Sequence, residues 1–345
     1  MPSTRGPKRS SLRAMTSLPI PAAADIVAAA DRIRPFAVRT PLVESPDLAV
    51  RTGARVFLKL EPLQRGGSFK FRGACNRIAA MSPAERARGV VAFSSGNHAQ
   101  GIALAARLHA TPALIVMPSD APAVKIAGTR AAGGEIVFYD REHESREDIA
   151  HGLAAGRGAT LVPSFDDPVV IAGQGTIGLE IAADLAAMGA AADRLVCCVG
   201  GGGLIGGIAV AMAEASPGTR IEGVEPSGFD DMARSIASGR PERNVCAGGS
   251  LQDALLTPEP SPLTLALARR HVAAMHEVTD GEAMEAARYA AGILKLVVEP
   301  GGAAALAAVL SGRVGPARGE TLVVIVSGGN IDPAFLARAL GGSGA

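Results

Sequence analysis

From residue 90 onward the chain alternates short apolar runs with longer stretches of helical period, and this alternation restricts the fold more than any other feature of the sequence. Apolar runs at 90–94, 113–117, 135–139 and 160–163 interleave with helical patterns over 97–109, 121–132, 146–155 and 171–188. Further runs at 194–199, 221–225 and 321–326 accompany helical patterns over 204–215, 281–294 and 302–310. Short apolar strands separated by helices imply parallel pairing with both sheet faces covered. The expectation is an α/β chain with parallel-rich sheets and helices on both faces. An amphipathic helix over 22–36 and a strand over 56–61 precede this region. At 345 residues the chain is long enough for two lobes, each with its own core.

Composition excludes several classes of function. A net charge of +1 with 48% hydrophobic residues leaves nothing to hold nucleic acid or another polyanion. Aromatic residues make up 3% of the chain and tryptophan is absent, so no base-stacking surface is expected. Cys75, Cys197, Cys198 and Cys246 form no CxxC pair, which fits a reduced, cytoplasmic protein with buried thiols. Residues 1–17 carry Arg5, Lys8, Arg9 and Arg13 among serines and prolines and read as a disordered basic tail; an upstream start site or a transit peptide gives the same pattern. No run of eighteen apolar residues free of charge and turn signals follows, and no membrane span is expected.

Ligands of parallel sheets sit beyond the carboxyl ends of the strands, and four polar or glycine-rich turns fall there. The first, Gly66-Gly67-Ser68, leads into Lys70 at the opening of a helix. There the helix dipole and partial burial disfavour the ammonium and make a neutral, nucleophilic amine accessible. The chain has five lysines against twenty-nine arginines, so a lysine between Phe69 and Phe71 is not a casual surface charge, although a snorkelling lysine beside a core helix shares the pattern. The second turn, Ser94-Ser95-Gly96-Asn97-His98, opens a helix with two hydroxyls and an amide; it reads as a carboxylate cradle or as an ordinary helix cap. The third, Gly200-Gly201-Gly202-Gly203-Leu204, lets backbone N–H groups wrap a phosphate. Its Gly201-x-Gly203-x-x-Gly206 spacing also fits a dinucleotide fingerprint, with Glu225 as the ribose-binding acid. The fourth holds Ser327, a neutral hydroxyl able to bond a ring nitrogen, and a simple strand-ending turn looks the same. Amine, carboxylate cradle, phosphate cradle and ring-nitrogen partner together point to pyridoxal phosphate.

The motifs carry a resemblance. Lys59-x-Glu61-x-x-Gln64 leads to Gly67-Ser68-Phe69-Lys70-x-Arg72-Gly73-Ala74, followed by Ser95-Gly96-Asn97-His98-Ala99-Gln100, Gln174-Gly175-Thr176, the glycine loop, Glu299-Pro300 and Ser327-Gly328-Gly329-Asn330. Over about residues 20–340 the chain resembles the serine/threonine dehydratases and serine racemases of the pyridoxal-phosphate fold-type II family. That resemblance implies Lys70 as the Schiff-base lysine, Phe69 packed on the ring, Asn97 on its 3′-oxygen, Gly200 to Leu204 on the phosphate and Ser327 at the pyridine nitrogen. It helps to place a small lobe at about 89–172 as an insertion in a large lobe built from 18–88 and 173–340, and it implies a homodimer. It also matches Glu225-Pro-Ser-Gly-Phe229-Asp-Asp231 to a divalent-cation loop, with two carboxylates and the Phe229 carbonyl suited to Mg²⁺ or Ca²⁺. Two acids at a helix N-terminus give the same sequence.

The expected reaction removes ammonia from a β-hydroxy amino acid, threonine or serine, to leave a 2-oxo acid. The substrate carboxylate would rest on Ser94, Ser95, Asn97 and His98, Lys70 would take the α-proton, and the cofactor phosphate would assist loss of the hydroxyl. Ser95, placed by the resemblance across the cofactor plane from Lys70, leaves serine or threonine racemisation open, and 3-hydroxyaspartate is a further substrate. A second substrate carboxylate would need an arginine, and the sequence does not single one out. A nicotinamide oxidoreductase and a non-catalytic binding protein are the remote alternatives. The chain ends soon after the Ser327 turn, so feedback control through a regulatory domain is not expected. Gly301-Gly302 stands where many relatives carry Ser or Ala before the next glycine.

Overall fold

A computed structural model describes residues 19–341 apart from 122 and 247, so the basic segment 1–17 lies outside the described residues. The strands are β1 (Leu42–Glu44), β2 (Arg55–Leu60), β3 (Val90–Phe93), β4 (Ala113–Pro118), β5 (Glu135–Tyr139), β6 (Thr160–Leu161), β7 (Arg194–Cys198), β8 (Arg220–Pro226), β9 (Val272–Val278) and β10 (Thr321–Val326). They form two sheets, a six-stranded one in the order β1-β2-β10-β7-β8-β9 and a four-stranded one in the order β5-β4-β3-β6. Every pairing is parallel except β1 with β2. The apolar runs are buried as expected of covered sheets: β4 along its whole length and β10 at every position but the first.

The sequence pattern misses the less apolar elements. β9 joins the edge of the larger sheet with the sequence Val-Ala-Ala-Met-His-Glu-Val, and only Val278 in it is fully buried. An edge strand needs no continuous apolar run, so periodicity has little to detect. The helix expected over 281–294 is regular over Asp280–Tyr289 and widens to a π-helical turn over Ala290–Leu294, ending where Lys295 adopts φ +59°.

The helix Pro168–Ala187 is long and apolar enough to cross a membrane, yet it packs on the helices Lys70–Ala79 and Gly203–Ala215. Glycine makes that packing close. A Cβ on Gly173 would lie 2.7 Å from the Arg72 carbonyl oxygen, and one on Gly207 would lie 2.4 Å from that of Ile171. Polar anchoring accompanies it: Glu180 accepts from Lys59 at 2.6 Å and from Arg72 at 2.7 Å, and Arg72 also pairs with Glu61 at 2.9 Å. The two helices that open at Lys70 and at the glycine loop are therefore fixed against one central rod.

Candidate active site

One cavity, at the carboxyl ends of β3, β7 and β10, is lined by Phe69, Lys70, Ser327 and all of segments 94–98 and 200–204. All four turns singled out in the sequence thus face a common space. Hydrogen bonds stitch three of them together. The Phe69 N–H donates to the Ser327 carbonyl at 3.1 Å and the Gly329 N–H to the Gly67 carbonyl at 2.9 Å. Asn330 Nδ2 donates to the Gly66 carbonyl at 2.7 Å and to Asn97 Oδ1 at 2.8 Å, while Asn97 Nδ2 donates to Glu299 Oε1 at 2.6 Å. Gly67 has no substitute here, because its φ is +72° and a Cβ would lie 2.3 Å from Asn330 Oδ1.

Lys70 is the first residue of its helix, and its Nζ donates to the Ser164 carbonyl at 3.2 Å beside the Phe69 ring. Burial pushes its amine down to about 8, which brings the neutral form within reach of ordinary pH. In the second turn Ser94 Oγ accepts from the Gly96 N–H at 3.2 Å, and the helix Asn97–Leu108 has no side-chain cap, so its first N–H groups remain for an anion. His98 is buried, which pushes its imidazole down to about 3. The Val162 carbonyl, 2.9 Å from Nε2, requires the proton there, leaving Nδ1 as an unpartnered lone pair. What His98 offers a carboxylate is accordingly its backbone N–H and not its ring.

The glycine loop opens the helix Gly203–Ala215, again without a side-chain cap, and Gly202 has φ +83°. A Cβ on Gly201 would lie 2.3 Å from the Phe165 ring. The loop is therefore bare backbone toward the cavity, as a phosphate cradle requires. Glu225 does not serve the dinucleotide alternative: it is fully buried and its two carboxylate oxygens accept from the N–H groups of Met232, at 2.8 Å, and Ala233, at 3.0 Å. Ser327 Oγ lies at the far wall, where it accepts from Cys198 Sγ at 3.2 Å.

Glu225 and Asp231 sit away from this cavity at the opening of the helix Asp231–Ser238. Asp231 Oδ1 accepts from Asn244, but Oδ2 has no partner among the described residues, and burial raises its carboxyl to about 6. Burial and the neighbouring Asp231 charge raise Glu225 well above the carboxylate range. Among the described residues no group of three or more His, Cys, Asp or Glu side chains is arranged to hold a metal.

Sequence reasoning assigned no role to several residues that the fold brings to the cavity: Glu299, Ser164, Phe165, Arg146 and the pair Lys125 and Asp253. Only Glu299 had a signal, as part of the Glu299-Pro300 motif. Its carboxyl is raised to about 7 by burial, against the hydrogen bond from Asn97.

Fold and cavity together give an α/β protein whose sheet ends gather a buried lysine amine and two uncapped helix openings around one space. A family model described as Pyridoxal-phosphate dependent enzyme matches residues 33–328, and the chain belongs to that family. It is 45% identical to an L-threo-3-hydroxyaspartate ammonia-lyase of a Pseudomonas species, over 89% of this chain and 95% of that one. It is 41% identical to an L-threonine ammonia-lyase of Thermotoga maritima, over 89% and 75%. Among solved structures, a serine racemase of maize superposes with a TM-score of 0.87 at 35% identity, covering 93% of this chain and 97% of that one. The residues present fit pyridoxal phosphate, since the uncapped glycine loop, the lowered Lys70 amine and the Ser327 hydroxyl line one space.

Proposed function

We propose that this protein is an ammonia-lyase acting on a β-hydroxy amino acid with a second carboxylate, 3-hydroxyaspartate in preference to serine or threonine. The observation that carries the preference is Arg146. It lines the cavity with Lys70 and the 94–98 turn, over the Phe93 ring at 5.4 Å, and it pairs with the half-exposed Glu147. Lys125, the other cation at the cavity besides Lys70, pairs with Asp253, a carboxylate that itself lines the cavity and would repel a second substrate carboxylate, whereas Glu147 does not line it. The name of the Pseudomonas relative supports the same substrate.

Bound pyridoxal phosphate supplies a carbonyl carbon for the substrate amine and a ring that withdraws electrons from the α-carbon. Gly200 to Leu204 would hold its phosphate through backbone N–H groups, Ser327 would meet its ring nitrogen, and Phe69 and Asn97 would fix the ring. The substrate α-carboxylate rests on the N–H groups that open the helix Asn97–Leu108, with the Ser94 and Ser95 hydroxyls beside them. Lys70 Nζ takes the α-proton as general base. The proton taken by Lys70 passes to the β-hydroxyl, which leaves as water, and the released enamine tautomerises to an imine that adds water to give ammonia and a 2-oxo acid. Ser95 supports a second reading as a side activity: its hydroxyl shares the cavity with Lys70 and would return a proton to the opposite face, giving racemisation.

Release of ammonia and 2-oxo acid from both 3-hydroxyaspartate diastereomers, L-serine and L-threonine, with chiral analysis of the remaining substrate, tests both readings. Arg146→Met should lower kcat/KM for 3-hydroxyaspartate by about 10²-fold and leave serine nearly unchanged, because a charge-assisted contact to the distal carboxylate is lost for one substrate only. Equal loss on both would remove Arg146 from the substrate choice. We read the loop at Glu225, Phe229 and Asp231 as a structural Mg²⁺ or Ca²⁺ site, a reading supported by two crowded buried carboxylates and the unpartnered Asp231 Oδ2. Millimolar Ca²⁺ should raise Tm and EDTA should reverse the rise, with neither effect in Asp231→Asn.

A further inference from the structure

Cys198 ends β7, and Ser327 follows directly on β10. The two strands run parallel with Val324 opposite Val196, and continuing that register sets Cys198 beside Val326, one residue short of Ser327. Both side chains line the active-site cavity and both are buried, Cys198 at 2% and Ser327 at 5% exposure. Cys198 Sγ lies 3.2 Å from Ser327 Oγ as donor to it, and the neighbouring Cys197 thiol donates elsewhere, to the Cys198 carbonyl.

A serine hydroxyl has one hydrogen to give and two lone pairs to offer. Left alone, its rotor would let it present either to a ring nitrogen. The thiol narrows that freedom by occupying a lone pair on the wall side, so the serine O–H is not spent on the wall and stays free for the cavity. We propose that Cys198 is a positioning residue: it donates to Ser327 and thereby makes the serine a hydrogen-bond donor toward the cofactor ring nitrogen. The ring nitrogen is then held unprotonated as an acceptor. This rests on the reading of Ser327 as the ring-nitrogen partner.

The test uses the holoenzyme and four variants, Cys198→Ala, Cys198→Ser, Ser327→Ala and the Cys198→Ala/Ser327→Ala double variant. Readouts are the absorption spectrum of the bound cofactor, its affinity measured by titrating pyridoxal phosphate into the apoprotein, and Tm. Cys198→Ala should displace the absorption maximum and weaken cofactor binding about threefold to tenfold, the range for loss of one modest hydrogen bond. Cys198→Ser restores a donor at the same place and should recover both wild-type values, which a loss of packing alone would not do. In the Ser327→Ala background, removing the thiol should change neither readout, since its effect passes through the serine.

A Cys198→Ala enzyme with wild-type spectrum and affinity overturns the proposal, as does Cys198→Ser behaving like Cys198→Ala with an unchanged Tm. If instead Ser327→Ala leaves the spectrum untouched, the reading of Ser327 itself has failed and the proposal falls with it. The two failures are therefore separable in a single set of spectra.

Discussion

Lys70 illustrates how a functional residue costs the fold that carries it. Burial pushes its amine down to about 8, so around neutral pH the folded apoprotein holds an ammonium in a poorly solvated place. Lys70→Met should abolish release of 2-oxo acid, with loss of about 10³-fold or more, and should also raise the apoprotein Tm by about 2–5 °C at pH 7. The sign with pH follows from the lowered value: the cost is full below pH 8 and fades as pH rises toward 10.5, where the unfolded chain also loses its proton. Thermal melts of both apoproteins across pH 7 to 10 should therefore converge, and parallel curves would show the amine to be well solvated. Borohydride reduction of the wild-type holoenzyme should leave the adduct on residue 70. Lys70 and the glycine loop were legible because local sequence alone, a lysine after Gly-Gly-Ser and four consecutive glycines, restricts what they do. Arg146 and Cys198 were not, because their roles depend on which strand ends meet in space, and nothing within a few residues of either records that.

Among the elements, the helix Lys70–Ala79 shows how the amine is held still. Its third residue, Arg72, is fully buried and bonds Glu61 at 2.9 Å, Glu180 at 2.7 Å and Thr176 at 3.2 Å, tying the helix to the turn that follows β2 and to the rod Pro168–Ala187. Lys59 completes the group with bonds to Glu180 at 2.6 Å and to the Thr40 carbonyl at 2.7 Å. A buried network of this kind contributes little net stability against an apolar equivalent, but it is costly to break from one side. Arg72→Met should destabilise by about 3–5 kcal/mol, read as a lower denaturation midpoint, because Glu61 and Glu180 lose their main counter-charge. Adding Glu61→Gln should restore part of that loss, and a double variant worse than the sum would show that the glutamate is held by other partners. The motif Lys59-x-Glu61 with Arg72 was visible in the sequence, yet its meaning was not, since Glu180 lies more than a hundred residues away. Elements with strong apolar period were legible, whereas the edge strand β9 was hidden by its mixed composition.

Across the whole molecule, the two ends of the larger sheet carry opposite electrostatic burdens. At the carboxyl end lie Lys70, lowered to about 8, and Glu299, raised to about 7 by burial, both held in their less comfortable charge state near neutral pH. Toward the other end Glu222 is nearly inaccessible, but its carboxylate is bonded by His276 at 2.8 Å and by Arg220 at 2.6 Å, with Arg194 alongside. Burial alone would raise it, and these cationic and hydrogen-bonding neighbours bring it down to about 2 instead. The parallel topology produces this division, since strand ends that gather the turns for a ligand leave the strand starts free for satisfied ion pairs. For Glu299 the raised value means that its stability cost is full above pH 7 and is relieved as pH falls toward 4.5. For Glu222 the lowered value means that its contribution is complete above pH 4.5 and is lost as pH falls toward 2. Relative to variants lacking them, Glu299 should make apoprotein stability climb on acidification from pH 8 to about 5 and Glu222 should make it drop below that, each by about 1–3 kcal/mol. These changes come on top of the gain from Asp231, raised to about 6, and the loss below pH 6.5 from His98, lowered to about 3. Glu299→Gln should remove the Glu299 share, raising stability at pH 8 relative to pH 5, while Glu222→Gln should remove the Glu222 share and lower stability at pH 7. Denaturation curves at matched ionic strength for the two variants and the wild type decide the matter: if either substitution changes the difference from wild type in both pH windows, the two ends of the sheet are not electrostatically independent.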